Sequence, residues 1–163
     1  MNLPPLTQAF VLHFGEMGSR WGINRTVGQM YALLVLSKDP LCADDMTEAL
    51  GISRSNVSMS LRELQSWRLV NMTHKIGERR EYFESPKDVW DIFRTLVEEK
   101  RKREIDPTLT LLRSILMEAP VNEEEEYGQQ RINEMLELIE LACGWFDEVH
   151  HLPPETLQNL MRL

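Results

Sequence analysis

Between Ala43 and Glu84 the chain sets out a short amphipathic helix, a Gly51-Ile52-Ser53 turn, a second helix and two strand-like runs in immediate succession. In the first helix, Ala43 to Leu50, the residues Met46, Ala49 and Leu50 form the apolar side, and Ser53 is a natural cap for the next helix. From Arg54 to Trp67, Val57, Leu61 and Leu64 recur at i, i+4 and i+7, so at 100° per residue they share one buried stripe. The opposite side carries Ser55, Ser58, Met59, Arg62 and Ser66. Val70 to Lys75 then alternates like a strand, Ile76-Gly77-Glu78 can turn, and Arg79 to Glu84 returns. The order is helix, turn, helix, basic hairpin.

A helix docked through Val57, Leu61 and Leu64 leaves a Ser- and Arg-rich face outward. Small polar residues permit close approach to base edges, and an arginine such as Arg62 reaches guanine or phosphate, which suits a helix seated in the major groove. Lys75, Arg79 and Arg80 cluster at the hairpin turn, where a wing entering the minor groove or gripping flanking phosphates places its cations. Taken alone, either feature is equally compatible with a solvated surface. Their succession with short connections points to nucleic acid.

A formal net charge of −8 argues against that partner only if the charge is spread evenly. It is not. Residues 1–120 hold 16 basic and 16 acidic side chains, whereas residues 121–163 hold 2 and 10. Gly51 to Tyr82 contains 6 basic residues against 3 acidic ones, a local excess of +3.

The flanking segments read as helices. Phe10, Val11, Phe14, Met17 and Trp21 mark the first, ended by Gly22, and Asn24 to Ser37 is the second, broken at Lys38-Asp39-Pro40. Beyond Ser85-Pro86, a cap and first helical position, Val89, Trp90, Ile92, Phe93, Leu96 and Val97 pack the first half of a helix running to Arg103. Its second half, Glu98 to Glu104, has no apolar residue and is expected to project into solvent. Pro107 starts another helix, ended near Pro120. A long helix spans Asn122 to His150 with Ile132, Leu136, Ile139, Cys143 and Phe146 in alternating steps of four and three, a coiled-coil-like seam, and a short tail helix follows Leu152-Pro153-Pro154. Glu123 to Glu126 suit the first turn, where the helix dipole favours negative charge. The fold class is mainly α with a small β-hairpin wing.

The stretch from Phe10 to about Trp90, with FGEMGSRWG, NRTVGQMYALL, ADDMTEALGISRSNVSMSLREL and KIGERREYF, resembles the GbsR branch of the MarR-type winged helix-turn-helix transcriptional regulators. The resemblance covers about half the chain. It implies a homodimer on double-stranded, pseudo-palindromic operator DNA, acting as a repressor or activator and joined through its terminal helices. Carried over by position, Ser53, Ser55, Asn56, Ser58 and Arg62 become the DNA-facing residues, with Arg79 or Arg80 reading from the wing. Arg54 and Met59 on the same helix and Lys75 on the wing complete the candidate set. Phe10, Phe14, Ile132, Leu136, Ile139, Cys143 and Phe146 become the dimer interface. Residues 1–85 then form the DNA-binding domain and 86–163 a helical dimerisation and effector region. Wings of this type often hold their arginine with an aspartate; here Glu78-Arg79-Arg80 offers a glutamate. Cys42 stands where a hydroxyl residue usually caps the motif's first helix.

Other chemistries find less support. Cys143, Asp147, His150 and His151 share a helical face and could in principle bind a metal, but Cys143 belongs to the apolar seam and the histidines sit at a helix end, so packing is the expected role and no metal is assigned. His13, near Phe10 and Phe14, reads as an interface histidine rather than a ligand. Some relatives in the family are linked to choline and glycine betaine, cations that aromatic faces attract, so Trp21, Tyr31, Trp90 and Trp145 are weighed as an effector pocket against ordinary core roles. No phosphate loop, nucleophile triad or carboxylate pair stands out, so no enzyme and no cofactor is expected. The rival class is a winged-helix interaction module without DNA binding. The longest apolar runs fall short of the ~20 residues of a membrane helix, and MNLPPLTQAF lacks a secretory plan, so a cytoplasmic protein without a membrane partner is expected.

Overall fold

A computed structural model describes residues 2–163. The chain divides into two units, the first through Leu96 and the second Val97–Leu163. The first contains α1 (Pro5–Arg20), α2 (Arg25–Leu36), β1 (Leu41–Cys42), α3 (Ala43–Leu50), α4 (Arg54–Ser66), β2 (Asn71–His74) and β3 (Glu81–Glu84). The division falls inside α5 (Val89–Lys100). A π-helical turn, Arg101–Ile105, then leads to α6 (Asp106–Leu116), α7 (Glu123–His150) and α8 (Pro154–Met161).

Residue chemistry accounts for the helix ends. Gly22, at φ +79°, turns the chain after α1, and Asn24 caps α2 by accepting from the Thr26 amide at 2.8 Å. Gly51, at φ +66°, closes α3 in the left-handed conformation, and the Ser53 hydroxyl accepts from the Asn56 amide at the start of α4. At the other end of α4 the Leu69 amide reaches back to the Leu64 carbonyl at 3.0 Å and the Arg68 amide to that of Gln65. This is a Schellman motif whose left-handed position is filled by Arg68, at φ +56°, in place of the usual glycine.

The core of the first unit gathers Val11, Val27, Met30, Leu34, Met46, Val57, Leu61 and Leu64 with Phe83 of the sheet. α1 and α2 approach very closely. A Cβ built on Gly28 would lie 2.9 Å from the Phe14 carbonyl oxygen and 3.4 Å from the Gly15 Cα, so this crossing admits no larger residue without a backbone shift. The α4 stripe predicted from spacing is buried as expected.

The wing differs from the expected hairpin by one strand. β3 is central, pairing antiparallel with β2 through Thr73↔Tyr82 and with β1 through Leu41↔Phe83. Leu41-Cys42 is too short for periodicity to mark, and it is a strand only because β3 is there to pair with it.

α5 departs from expectation in four ways. Its cap is Asp88, whose carboxylate accepts from the Trp90 amide at 2.9 Å; Ser85 is buried and donates to the Pro86 carbonyl. Val89 and Phe93, expected to pack, are 71% and 44% exposed. Glu99, expected in solvent, is 4% exposed, with its carboxylate 3.2 Å from Arg103 Nε. The helix also does not stop before Pro107. Proline cannot donate to a carbonyl and crowds the one four residues back. The chain widens into the π turn, with the Asp106 amide bonded to the Arg101 carbonyl five residues earlier, and the helical path continues.

In the second unit α6 and α7 pack together. Asn122 caps α7 by accepting from the Glu125 amide at 2.9 Å, and Glu123 to Glu126 form its acidic first turn. Arg113 of α6 grips Glu140 of α7 at 2.6 Å, and Arg101 pairs with Asp147. Among the described residues no helix is long and apolar enough to cross a membrane.

Candidate nucleic-acid interface

Burial of Val57, Leu61 and Leu64 sets the orientation of α4 and turns Ser53, Arg54, Ser55, Asn56, Met59 and Arg62 to solvent, with Ser58 half-buried among them. The Ser53 and Ser55 hydroxyls are 3.0 Å apart and hydrogen-bond to each other at the helix start. All the α4 candidates therefore lie at or beside one accessible surface.

β2 and β3 bring the wing alongside. A cleft of about 560 Å³ is lined from one side by Arg54, Ser58, Arg62 and Gln65 and from the other by Arg79 and Arg80. Arg62, Arg79 and Arg80 hold no hydrogen bond or ion pair among the described residues. Asp44 and Glu81 also line the cleft, but with Arg54 the basic side chains outnumber them four to two, and the three arginines without an ion pair are available to an anion such as a phosphate backbone.

Arg54 is different. Its guanidinium pairs with Asp44 of α3, so part of its charge is spent inside the motif. Asp44 had no part in the sequence reading, and neither did Gln65, which lies one helical turn beyond Arg62 in the cleft. Gln65 falls on the same side of α4 as Ser58 and Arg62 and was detectable from periodicity.

The wing turn is built from three contacts. The Glu78 amide bonds to the Lys75 carbonyl at 3.1 Å, with Gly77 at φ +84° and no positive φ at Ile76, which defines a type II turn. The Lys75 ammonium lies 4.0 Å from the centre of the Tyr82 ring. The Tyr82 hydroxyl donates to the Glu78 carboxylate, and that bond, with burial and the Glu78 charge, pushes the phenol up to about 12. Glu78 is thereby engaged by Tyr82, and Arg79 and Arg80 extend from the far side of the turn. Cys42 heads α3 at the base of the cleft, where its amide donates to Asp45 at 2.8 Å.

Residues 27–72, from α2 into β2, match the sequence profile of the bacterial regulatory protein, arsR family. The HTH-type transcriptional repressor GbsR of Bacillus subtilis (strain 168) is 27% identical over 132 residues, which cover 77% of this chain and 73% of that protein. The chain has a winged helix-turn-helix fold and is similar to transcriptional regulators of the GbsR type. A second protein of that organism, the putative HTH-type transcriptional regulator YvaV, is 25% identical over 138 residues, covering 85% of this chain and 78% of its own. The fold is shared with a crystal structure of a transcriptional regulator, at a TM-score of 0.60 and 18% identity over 88% of this chain and 99% of that one.

From the sequence, dimerisation is expected through residues 86–163 together with Phe10 and Phe14 of the first helix, and the structure distributes these candidate residues unevenly. Phe10 and Phe14 stack on each other at 4.5 Å and pack against the core of their own unit. On α7 the seam residue Leu136 is buried, Ile132, Ile139, Cys143 and Phe146 are half-buried, and Ile132 shares a small cavity with Ile115 of α6. The seam is thus partly consumed within the protomer. The opposite face of α7 presents Tyr127, Leu138, Leu141 and Trp145 to solvent, and Met135 is exposed at the edge of the seam.

The remaining candidates are accounted for by neighbours. Asp147 is held by Arg101, and His150 by Glu98 at 2.6 Å with Phe146 beneath its ring, so these side chains do not gather around a common centre. Tyr31 is a core residue whose phenol is pushed up by burial, Trp90 packs edge-on to Phe93, and Trp21 and Trp145 are exposed.

Proposed function

We propose that this regulator binds double-stranded operator DNA sequence-specifically as a homodimer and acts as a repressor. The observation that carries the reading is the arginine groove: Arg62 from the recognition helix and Arg79 and Arg80 from the wing, none of them in an ion pair among the described residues, line a single cleft with half-buried Ser58, beside exposed Ser55 and Asn56. The serines and Arg62 of α4 are suited to base edges in the major groove, and the wing arginines to phosphates or the adjacent minor groove. The repressor role is supported by the name of the GbsR relative.

One recognition helix reads one half-site. A dimer places two, and they engage successive major grooves when they stand about one DNA turn apart, roughly 34–36 Å. The exposed row Leu138, Leu141 and Trp145 on α7 is the apolar surface that a second copy covers, on the same helix as the seam expected to dimerise. A small-molecule effector, of which a choline-like cation is the class suggested by the resemblance, regulates the protein only by binding two dimer states with different affinity.

Selection of duplexes from a randomised pool by the purified protein tests the proposal. A recurrent, two-fold symmetric sequence is expected, and Arg62→Ala or Ser58→Ala relaxes the choice of base within it. A pool that stays random after selection contradicts it.

A further inference from the structure

Ile76 is the feature that the proposed function leaves unused. It is fully exposed at the outermost point of the wing, flanked by Lys75 on one side and Arg79 and Arg80 on the other. A single exposed apolar residue is ordinary, but the position of this one is not. The leading position of a type II turn favours proline and tolerates most polar residues, whereas a β-branched residue there gains nothing from packing. The turn is also braced from both ends. Lys75 is held over the Tyr82 ring, the Tyr82 hydroxyl holds Glu78, and Gly77 supplies the positive φ, so the backbone presents Ile76 outward in a fixed direction.

We infer that Ile76 is an apolar wedge that enters the DNA minor groove at the edge of the operator half-site, packing on deoxyribose faces or between base pairs while the neighbouring cations hold the phosphates on either side. This rests on the DNA-binding reading and adds a specificity determinant to it. Minor-groove proteins insert isoleucine, leucine or phenylalanine in this manner, spending unstacking energy to bend the duplex towards more protein contact. The cost is lowest at flexible pyrimidine–purine steps, so Ile76 reads deformability rather than hydrogen-bond pattern. The contact is apolar and releases no counter-ions, which separates it from everything Arg79 and Arg80 do.

The experiment uses the full chain and a duplex that the wild-type protein has enriched from a randomised pool, carrying fluorophores at both ends to report bending. Affinity is measured at two salt concentrations for wild type, Ile76→Ser, Ile76→Leu and Arg80→Ala. Ile76→Ser is expected to weaken the enriched duplex about tenfold, the value of burying one large aliphatic side chain, with the salt slope unchanged and the bend reduced. Ile76→Leu retains most of the affinity, and Arg80→Ala lowers the slope by about one. An unchanged melting temperature shows that the wing itself is intact. Wild-type affinity and bending in Ile76→Ser overturn the inference while leaving DNA binding standing, and so does a change in the sedimentation of DNA-free protein, which assigns the tip to a protein contact. Failure of the wild-type protein to enrich any duplex overturns the DNA-binding reading itself, and the wedge with it.

Discussion

Leu136 and Leu138 stand on opposite sides of α7, the first 8% exposed and the second 66%. Two residues at 100° each are about 200° apart, so a helix that buries one must present the other. Leu138→Glu is expected to give monomers in sedimentation with little change in unfolding free energy. Leu136→Glu buries a charge inside the protomer and is expected to cost about 3 kcal/mol or more. A dimer that survives Leu138→Glu moves the interface elsewhere.

The α1–α2 crossing has no room at Gly28, where a Cβ would sit 2.9 Å from the backbone oxygen of Phe14. Backbone cannot swing aside as a side-chain tip can. Gly28→Ala is expected to destabilise the first unit by about 1–3 kcal/mol in denaturant unfolding, against the usual gain from replacing glycine inside a helix. A stabilised variant would show that the helices are farther apart.

Asp44 pairs with Arg54 at the groove and neutralises part of its charge there. Asp44→Ala releases that guanidinium and removes one negative charge from the face that approaches phosphate. Binding to random-sequence duplex is expected to strengthen and its salt slope to steepen by about one. An unchanged slope would mean that Arg54 stays out of reach of DNA even when released.

Tyr82 carries the pH dependence of the wing. Its hydrogen bond to Glu78, with burial, raises the phenol from 10.0 to about 12, so the folded chain holds the proton more tightly than the unfolded one. The stabilisation from this contact is complete below pH 10 and is lost as pH rises towards 12. The difference in tyrosinate absorbance between wild type and Tyr82→Phe isolates this group from Tyr31, which burial also raises. Titration of that difference near 10 would refute the contact.

What could be read from the residues follows the length and regularity of each element. The α4 stripe was legible because three apolar positions repeat at helical spacing, and its burial alone orients Arg62 and the serines. β1 was not legible, because two residues carry no period and become a strand only through Phe83 and Tyr82 across the sheet. Glu99 lies in a run of charges that reads as solvated, yet it is buried with Arg103 beside it. On α7 the 4-3 pattern of Ile132 to Phe146 correctly marks an apolar seam, but spacing cannot say whether the seam meets α6 of the same chain or a second copy. The row through Leu138 and Trp145 was overlooked because apolar residues on both sides of one helix compete for the same pattern. Asp44 was invisible as a partner of Arg54, since ten residues and a turn separate them.

The central claim is that Arg62, Arg79 and Arg80 form one DNA-binding groove, and the salt dependence of duplex affinity tests it most directly. With wild-type protein the logarithm of the affinity is expected to fall linearly and steeply with the logarithm of salt concentration, and Arg62→Ala/Arg79→Ala/Arg80→Ala is expected to lower that slope by about 2–3. Affinity that ignores salt, or a triple variant with the wild-type slope, would contradict the account.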